Sequence, residues 1–294
     1  MLHMFFTVLI ALVGLTTAIY SLFYEKKNLI LIAVLILFSF LSLYYWYIGI
    51  FILIPIIFYK KLKLGSFITA NMFSAVVLAW FFLQMFLIFE TPFYFYIALI
   101  TVIVMCGLAI PGIFEKRIKE FLLISSAIQI LFIILDLSVA KMAGKLDVLG
   151  TIQIFNYTFA GLTLFLTIGL FARGKKLVSD LEGSVFKNKW NDAFATIACL
   201  SLAGLPAFNM FVSEWFLLVA SFAISPMITT LCVFVALLLF VMYYKIVYVM
   251  LVGEGKPRIF PKILTIQNGI LAISCLVLGL LPQIQYEILT RLLA

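Results

Sequence analysis

Long apolar runs separated by short polar loops occupy almost the whole of this sequence. Hydrophobic residues make up 66% of the 294 residues and charged residues only 11%, which is far from the composition of soluble domains. A helix needs about 20 mostly apolar residues to cross a hydrocarbon core of roughly 30 Å. The runs are solidly apolar and do not alternate, so they exclude a transmembrane β-barrel. We therefore expect an all-α, polytopic helix bundle in a lipid bilayer.

The apolar runs predict about ten spans. They cover residues 2–24, 28–44, 46–59, 65–89, 91–113, 118–139, 148–171, 190–224, 226–250 and 264–285. The run from 28 to 59 is ambiguous, because one tilted helix of about 48 Å would also fit it and would reduce the number to nine.

Basic residues fall mainly in alternate loops. With the N-terminus outside, sixteen of the 20 lysines and arginines lie in loops on one face, three lie on the other, and Lys245 lies in a span near the basic face. The positive-inside rule makes the basic face cytoplasmic. We expect a multi-pass protein of the cell membrane with both termini outside. The same topology explains the net charge of +8, so a nucleic-acid partner is not expected.

The segment from Trp190 to Ala223 is too long for a simple crossing, at about 50 Å as a straight helix. Gly204 and Pro206 lie near its middle. Proline removes a backbone donor and clashes with the preceding turn, so the segment predicts one crossing that is broken there into two half-helices. Broken backbone at membrane depth must face protein or water, which indicates an ion or substrate path. A plain proline kink is the alternative.

Three charged residues are predicted inside spans, where a charge costs about 2.5 to 3.5 kcal/mol to insert. Glu214 lies about ten residues before the outer end of the broken crossing, hence about 15 Å deep, and it is the candidate for proton exchange. A permanently neutral or capped carboxyl is the alternative. Asp136 is expected near the outer interface beside Lys141, either as a surface carboxylate or as a half-channel mouth. Lys245 is expected to extend to the cytoplasmic surface.

Neutral polar residues follow one face of each of the two spans before the broken one. They are Ser125 and Gln129, in line with Asp136, and then Gln153, Asn156 and Tyr157. Gln129 and Asn156 are predicted at about the depth of Glu214. Such a layer has two interpretations: a hydrated relay for protons, or interhelical hydrogen bonds worth about 0.6 kcal/mol per pair.

Motifs of soluble enzymes are absent from the sequence. It contains a single histidine, His3, and four cysteines without a CxxC pair. It has no metal-ligand spacing, phosphate loop or nucleophile triad. We expect no metal, no cofactor, no disulfide and no catalytic residue, and therefore at most a non-catalytic subunit of an enzyme complex.

Three stretches resemble, in order, the antiporter-like membrane subunits shared by respiratory complex I, multisubunit cation/proton antiporters and membrane-bound energy-converting hydrogenases. KEFLLISSAIQI (119–130) is similar to the family's K-x-x-L-A-Y-S-S-I-S-Q-I, and NYTFAGLTLFL (156–166) is similar to N-H-A-L-F-K-A-L-L-F-L. SLAGLPAFNMFVSEWFLL (201–218) resembles the broken-helix signature of the family. The phrase FVSEW is most similar to the hydrogenase branch.

The resemblance implies a role for each matching position. Glu214 stands where the family carries a charged residue of the proton path. Gly161 stands where the family has its channel lysine, and Tyr157 stands at the adjacent histidine position. The resemblance implies a truncated subunit, in which residues 91–294 form the second repeat and residues 1–90 match nothing recognisable.

The resemblance also implies a function. It indicates a membrane-arm subunit of a complex-I-like redox complex, of the membrane-bound hydrogenase type, that takes part in H⁺ or Na⁺ translocation. Partner subunits, both antiporter-like and hydrogenase or iron–sulfur chains, would carry the redox centres. Two alternatives stay open: a non-conducting subunit that seals or spaces the membrane arm, and an independent permease that shares the broken helix by chance.

Overall fold

The protein is a bundle of helices in the computed structural model, which describes residues 2–144, 146–172, 176–183, 189–252 and 260–293. The helices are α1 (Leu2–Tyr24), α2 (Asn28–Tyr44), α3 (Leu53–Ile57), α4 (Leu64–Ile88), α5 (Tyr94–Phe114), α6 (Ile118–Met142), α7 (Leu146–Phe171), α8 (Lys189–Leu202), α9 (Asn209–Ile224), α10 (Pro226–Leu251), α11 (Lys262–Leu280) and α12 (Pro282–Leu293). Short 3₁₀ segments lie at Trp46–Ile52, Tyr59–Lys61 and Val178–Leu181. Within these ranges no strand forms, so the predicted all-α class is confirmed.

In the part of the chain that the structure describes, seven helices are long and apolar enough to cross a membrane, and Asn28–Tyr44, Trp46–Ile57 and Asn209–Ile224 are shorter apolar segments. Helix α7 lies at the centre, since 94% of its most apolar window is buried, against 33% for α5 and α10. The outward faces of α5 and α10 expose large apolar side chains, as expected for helices at the edge of a membrane bundle.

The structure differs from the alternative of one long helix across 28–59 and from the predicted end of the last span. Helix α2 ends at Tyr44, and the chain continues as a 3₁₀ segment and the short α3, so the single long helix across 28–59 is wrong. Gly49 allows this segment to pack closely on α4, because a Cβ at that position would lie 3.3 Å from Val77. The last span is shorter than predicted: α11 ends at Leu280, and Pro282 begins α12, where proline is tolerated.

Several helix ends meet at one end of the bundle, which we call the basic end. Glu25, just after α1, accepts hydrogen bonds from Asn28 Nδ2 (2.5 Å) in α2 and from Ser66 Oγ (3.4 Å) in the first turn of α4. The ammonium group of Lys119, in the first turn of α6, donates to the Leu62 carbonyl. These bonds place the ends of α1, α2, α4 and α6 together.

Lys245 also reaches the basic end. Its ammonium group donates to the carbonyls of Ile113 (2.8 Å) and Glu115 at the C-terminal end of α5. A cation is favourable there because the last carbonyls of a helix have no partner within the helix. Lys245 therefore caps a neighbouring helix, in keeping with its predicted reach toward the basic face.

Candidate ion pathway at the helix break

The chain is unwound between Leu202, where α8 ends, and Asn209, where α9 begins. Within this linker Gly204 has φ +68° and Ala207 has φ +78°. The left-handed region suits glycine, whereas each other L-residue adopts it at a cost of about 1–2 kcal/mol. The break coincides with the Gly204–Pro206 position predicted from the sequence.

A chain of polar contacts ties the two ends of the linker to α7. Ser201 Oγ in α8 donates to Asn209 Oδ1 at 2.5 Å, and Asn209 Nδ2 donates to the backbone carbonyl of Asn156 at 2.9 Å. All three residues are fully buried. Because both ends are bonded in this way, the unwound backbone is held in one position against the central helix.

Helix α11 also packs against the linker. A Cβ built on Gly279 would overlap the backbone of Ala207 and Phe208. Only glycine lets α11 approach the linker this closely. Sequence reasoning missed Gly279, because nothing in its local sequence distinguishes it from other glycines in spans.

Glu214 lies in the second turn of α9, and its carboxyl group faces back onto the linker. A Cβ built on Gly204 would overlap this carboxyl group. The side chain is buried, Oε1 has no hydrogen-bond partner, and no basic residue within the ranges given above forms an ion pair with Glu214. An isolated buried carboxylate is costly, so the chemistry available to Glu214 is to take up a proton or to accept a cation.

A second polar group lies beside Glu214, between α6, α7 and α10. Ser125 Oγ and the Tyr243 hydroxyl share a hydrogen bond of 2.7 Å. The Gln129 side chain lies near the same hydroxyl, but its Nε2 has no hydrogen-bond partner among the described residues. Gln153 Nε2 donates to Gln129 Oε1 at 3.4 Å. Tyr243 also interacts electrostatically with Glu214. The structure thus brings Ser125 and Gln129 together around Tyr243, which the sequence analysis did not select.

Asn156 lies elsewhere, at the break. Its Nδ2 donates to Gln285 Oε1 at 3.0 Å, and Gln285 Nε2 donates to the Leu278 carbonyl at 2.6 Å. Among residues placed by the structure, no hydrogen bond joins Asn156 to Gln129. The predicted polar layer is therefore two separate groups, one at Tyr243 and one at the linker.

Tyr157 packs against the glycine that stands at the family's lysine position. A Cβ on Gly161 would lie 2.9 Å from Tyr157 Cε2 and 3.1 Å from Met72 Cε. The Tyr157 hydroxyl is buried and has no hydrogen-bond partner in the described part of the chain. The ring therefore occupies the space that a longer side chain at position 161 would need.

Asp136 is buried in α6, with 2% of its surface exposed, and its Oδ2 has no partner among the described residues. The Lys141 ammonium instead lies 4.0 Å from the Glu90 carboxylate. Among the described residues no hydrogen bond or ion pair connects Asp136 to Glu214 or Gln129, so the structure does not bring it into either polar group. Its role as a half-channel mouth stays a prediction.

Acidic and sulfur side chains do not gather into a metal site in the ranges that the structure describes. The four cysteines are free, and three of them, Cys199, Cys232 and Cys275, are buried.

Solved structures of membrane complexes share this fold. A chain of the Mrp complex from Dietzia sp. aligns over 98% of this chain and 66% of its own length, with a TM-score of 0.69 and 15% identity. A chain of respiratory complex I from Thermus thermophilus aligns over 75% and 52%, with a TM-score of 0.63 and 17% identity. A chain of the membrane-bound sulfane sulfur reductase, an archaeal respiratory membrane complex, aligns over 78% and 50%, with a TM-score of 0.65 and 18% identity.

This chain therefore spans between half and two thirds of the chains that it resembles. No protein-family model matches the sequence, and a search of curated proteins found no sequence relative. The resemblance predicted from three short motifs is confirmed at the level of the fold, which is that of membrane subunits in large complexes.

Proposed function

We propose that this chain is a membrane-arm subunit of a complex-I-like redox complex, and that it takes part in moving H⁺ or Na⁺ across the membrane with Glu214 as the exchanging carboxyl. One observation carries the proposal. The carboxyl group of Glu214 is buried against the unwound linker at Gly204 and has an oxygen without a hydrogen-bond partner in the described structure. A buried carboxylate without a partner is stabilised when it takes up a proton or when a cation binds to it.

Two polar groups support a path through this point. Ser125, Gln129 and Tyr243 form one polar group near Glu214, and Asn156 and Asn209 hold the linker against which the Glu214 carboxyl lies. Broken helices with polar surroundings at membrane depth are the usual ion sites of transporters. In this proposal a proton or ion passes from one group to the other by way of Glu214.

The redox part of the proposal rests on the sequence motifs and on the kinds of complex to which the structurally similar chains belong. The phrase FVSEW is similar to the hydrogenase branch, and two of the three neighbours come from respiratory complexes. We propose partner subunits of two kinds, antiporter-like chains and hydrogenase or iron–sulfur chains. In this proposal the hydrogenase or iron–sulfur partners carry out the electron transfer.

A specific observation favours the second candidate, a subunit that seals or spaces the membrane arm without conducting. Position 161, where the resemblance implies a channel lysine, is a glycine whose free side is filled by Tyr157 and Met72. A path that needed a charged group at this depth in α7 would be closed. This candidate keeps the partners and the fold but assigns no exchange to Glu214.

Purification from the native membrane in mild detergent, followed by mass spectrometry, tests the partner assignment. Antiporter-like subunits together with hydrogenase or iron–sulfur subunits are the expected result. Antiporter-like chains alone would replace the redox part with a multisubunit antiporter, and a chain that is active and stable by itself would favour an independent permease.

Ion movement in proteoliposomes then separates conduction from sealing. The purified complex is driven by electron transfer, and H⁺ and Na⁺ fluxes are measured for wild type, Glu214→Gln and Glu287→Gln. Glu287 is an exposed glutamate in α12 and serves as the matched control. Glu214→Gln should lower coupled flux by about a hundredfold, the size of effect usual for a proton-transferring side chain, while Glu287→Gln keeps it. Unchanged flux in Glu214→Gln would select the sealing role.

A further inference from the structure

A cavity of about 590 Å³ opens at the basic end, between the ends of α1, α4, α6 and α7 and the Tyr59–Lys61 segment. Its volume is in the range of sites that take small molecules or headgroups. The candidate ion pathway uses none of its lining residues. The cavity is thus a separate feature, whose ligand has to be inferred from its own walls.

The walls carry an excess of positive charge. Five basic side chains, Lys60, Lys63, Arg117, Lys119 and Lys176, line the cavity together with two carboxylates, Glu25 and Glu120.

Part of this charge is already satisfied. Arg117 Nη1 pairs with Glu120 Oε1 at 3.0 Å, and Lys119 donates to a backbone carbonyl. The ammonium groups of Lys60, Lys63 and Lys176 form no ion pair with any residue that the structure places. All three side chains are exposed. Three cations are therefore available to an anion in the cavity.

Two helix N-termini also meet at the cavity. Helix α4 begins after Lys63 and α6 after Arg117, and neither of these residues makes a side-chain capping bond. The first N–H groups of a helix and its dipole both favour an anion. Glu25 shows this at α4: its carboxylate accepts from Ser66 Oγ and lies 3.0 Å from the Cβ position of Gly65. Glu25 thus already occupies the N-terminus of α4, and the first N–H of α6, that of Ile118, donates to the Lys176 carbonyl, so a further anion in the cavity relies on the three lysines.

The position of the cavity indicates the source of the anion. It lies at the level where the spanning helices end, which is the level of lipid headgroups. Tyr20, Tyr24 and Tyr59 line it, and tyrosine is enriched at this level of a membrane. Basic pockets between spanning helices are known to take the headgroups of anionic lipids.

We propose that this cavity binds the phosphate-bearing headgroup of an anionic membrane lipid. The phosphate oxygens accept from Lys60, Lys63 and Lys176, and the tyrosine rings contact the glycerol and the start of the acyl chains. The proposal does not depend on whether the chain conducts ions, so it stands or fails separately from the role of Glu214.

Native mass spectrometry of the purified complex tests it, with phosphatidylglycerol and phosphatidylcholine of equal chain length supplied in competition. The test variant is Lys63→Gln with Lys176→Gln. The matched control is Lys26→Gln with Lys27→Gln, which removes the same charge from exposed lysines of the α1–α2 turn that do not line the cavity. Wild type and control should retain phosphatidylglycerol in preference to phosphatidylcholine. The test variant should bind phosphatidylglycerol about 25-fold more weakly, at roughly fivefold per lysine.

Two further arms make the outcome decisive. Lys63→Arg with Lys176→Arg keeps the charge and should restore retention, which excludes a folding defect as the cause of the loss. Inorganic phosphate is also added alone to delipidated complex. If it raises the Tm as much as phosphatidylglycerol does, with the same dependence on the two lysines, a soluble phosphate compound replaces the lipid as the occupant. Equal phosphatidylglycerol binding in the test and control variants would overturn the proposal.

Discussion

The carboxyl group of Glu214 occupies the space that a Cβ on Gly204 would fill. The linker and the acidic residue are therefore one structural unit, because the backbone conformation at Gly204 creates the surface on which the carboxyl lies. The φ of +68° at this position turns the chain away from the axis of α8 and exposes the α-carbon to α9. A substitution at either residue should therefore change the position of the other.

Gly204→Ala should disturb this unit in two ways. The left-handed φ costs an alanine about 1–2 kcal/mol, and the new methyl group displaces the Glu214 carboxyl. We expect loss of stability in thermal unfolding of the purified complex and loss of coupled ion flux in proteoliposomes.

Two other glycines separate these effects. Gly144 has φ +66° and no described atom within 4 Å of its Cβ position, so Gly144→Ala measures the backbone cost alone. Gly107 is helical with the same open surroundings, so Gly107→Ala should be neutral or stabilising by up to about 1 kcal/mol. If Gly204→Ala were no more harmful than Gly144→Ala, the contact with Glu214 would have no energetic role.

Gly279→Ala should move the linker from the side of α11. The added methyl group would overlap the backbone of Ala207 and Phe208, which cannot rotate away as a side chain can. Overpacking of this kind costs typically about 1–3 kcal/mol. Thermal unfolding beside Gly107→Ala measures the cost, and equal melting temperatures for the two variants would show that α11 and the linker separate freely.

Asn209→Ala should loosen the start of α9. It removes the acceptor of the Ser201 hydroxyl and the donor to the Asn156 carbonyl, in a site without exposure to solvent. Leaving buried polar groups unpaired costs about 1–3 kcal/mol. Thr230→Ala is the control, because that exposed hydroxyl bonds only within its own helix and its loss should stay within about 0.5 kcal/mol. The measurement is thermal unfolding. An equal effect of both variants would show that the hydrogen bonds of Asn209 to Ser201 and Asn156 do not stabilise the start of α9.

The positions of most helices and of the break could be predicted from the sequence, because each depends on a short stretch of chain: about 20 apolar residues for a span, and Gly204 with Pro206 for the break. The partners of the site did not follow. Tyr243 meets Ser125 across 118 residues, and Gln285 meets Asn156 across 129. No periodicity within one helix encodes such pairs, since they depend on how the helices are rotated against each other.

The same limit explains why the predicted polar layer is two groups. Asn156 and Tyr157 are neighbours in the chain, but consecutive residues on a helix point about 100° apart. The Asn156 side chain therefore faces Gln285 in α12, whereas the Tyr157 ring packs against Gly161. The depth of each residue in the membrane could be predicted from the rise per residue of a helix. The neighbour that each side chain faces could not, because it depends on how the other helices pack around α7.

Gly161→Lys tests whether the path can be restored or is closed by packing. The lysine side chain would collide with Tyr157 and Met72, whose atoms lie 2.9 Å and 3.1 Å from the Cβ position. We expect a loss of about 1–3 kcal/mol from overpacking, besides the cost of placing a charge in the bundle. Tyr157→Ala removes the ring, so the double variant should be less destabilised than the sum of the single variants, which a double-mutant cycle of unfolding measures. If the free energies of unfolding are strictly additive, Tyr157 does not fill the space that a lysine at position 161 would need. If they are not additive and the double variant also conducts more ions, the Tyr157 ring keeps the path closed.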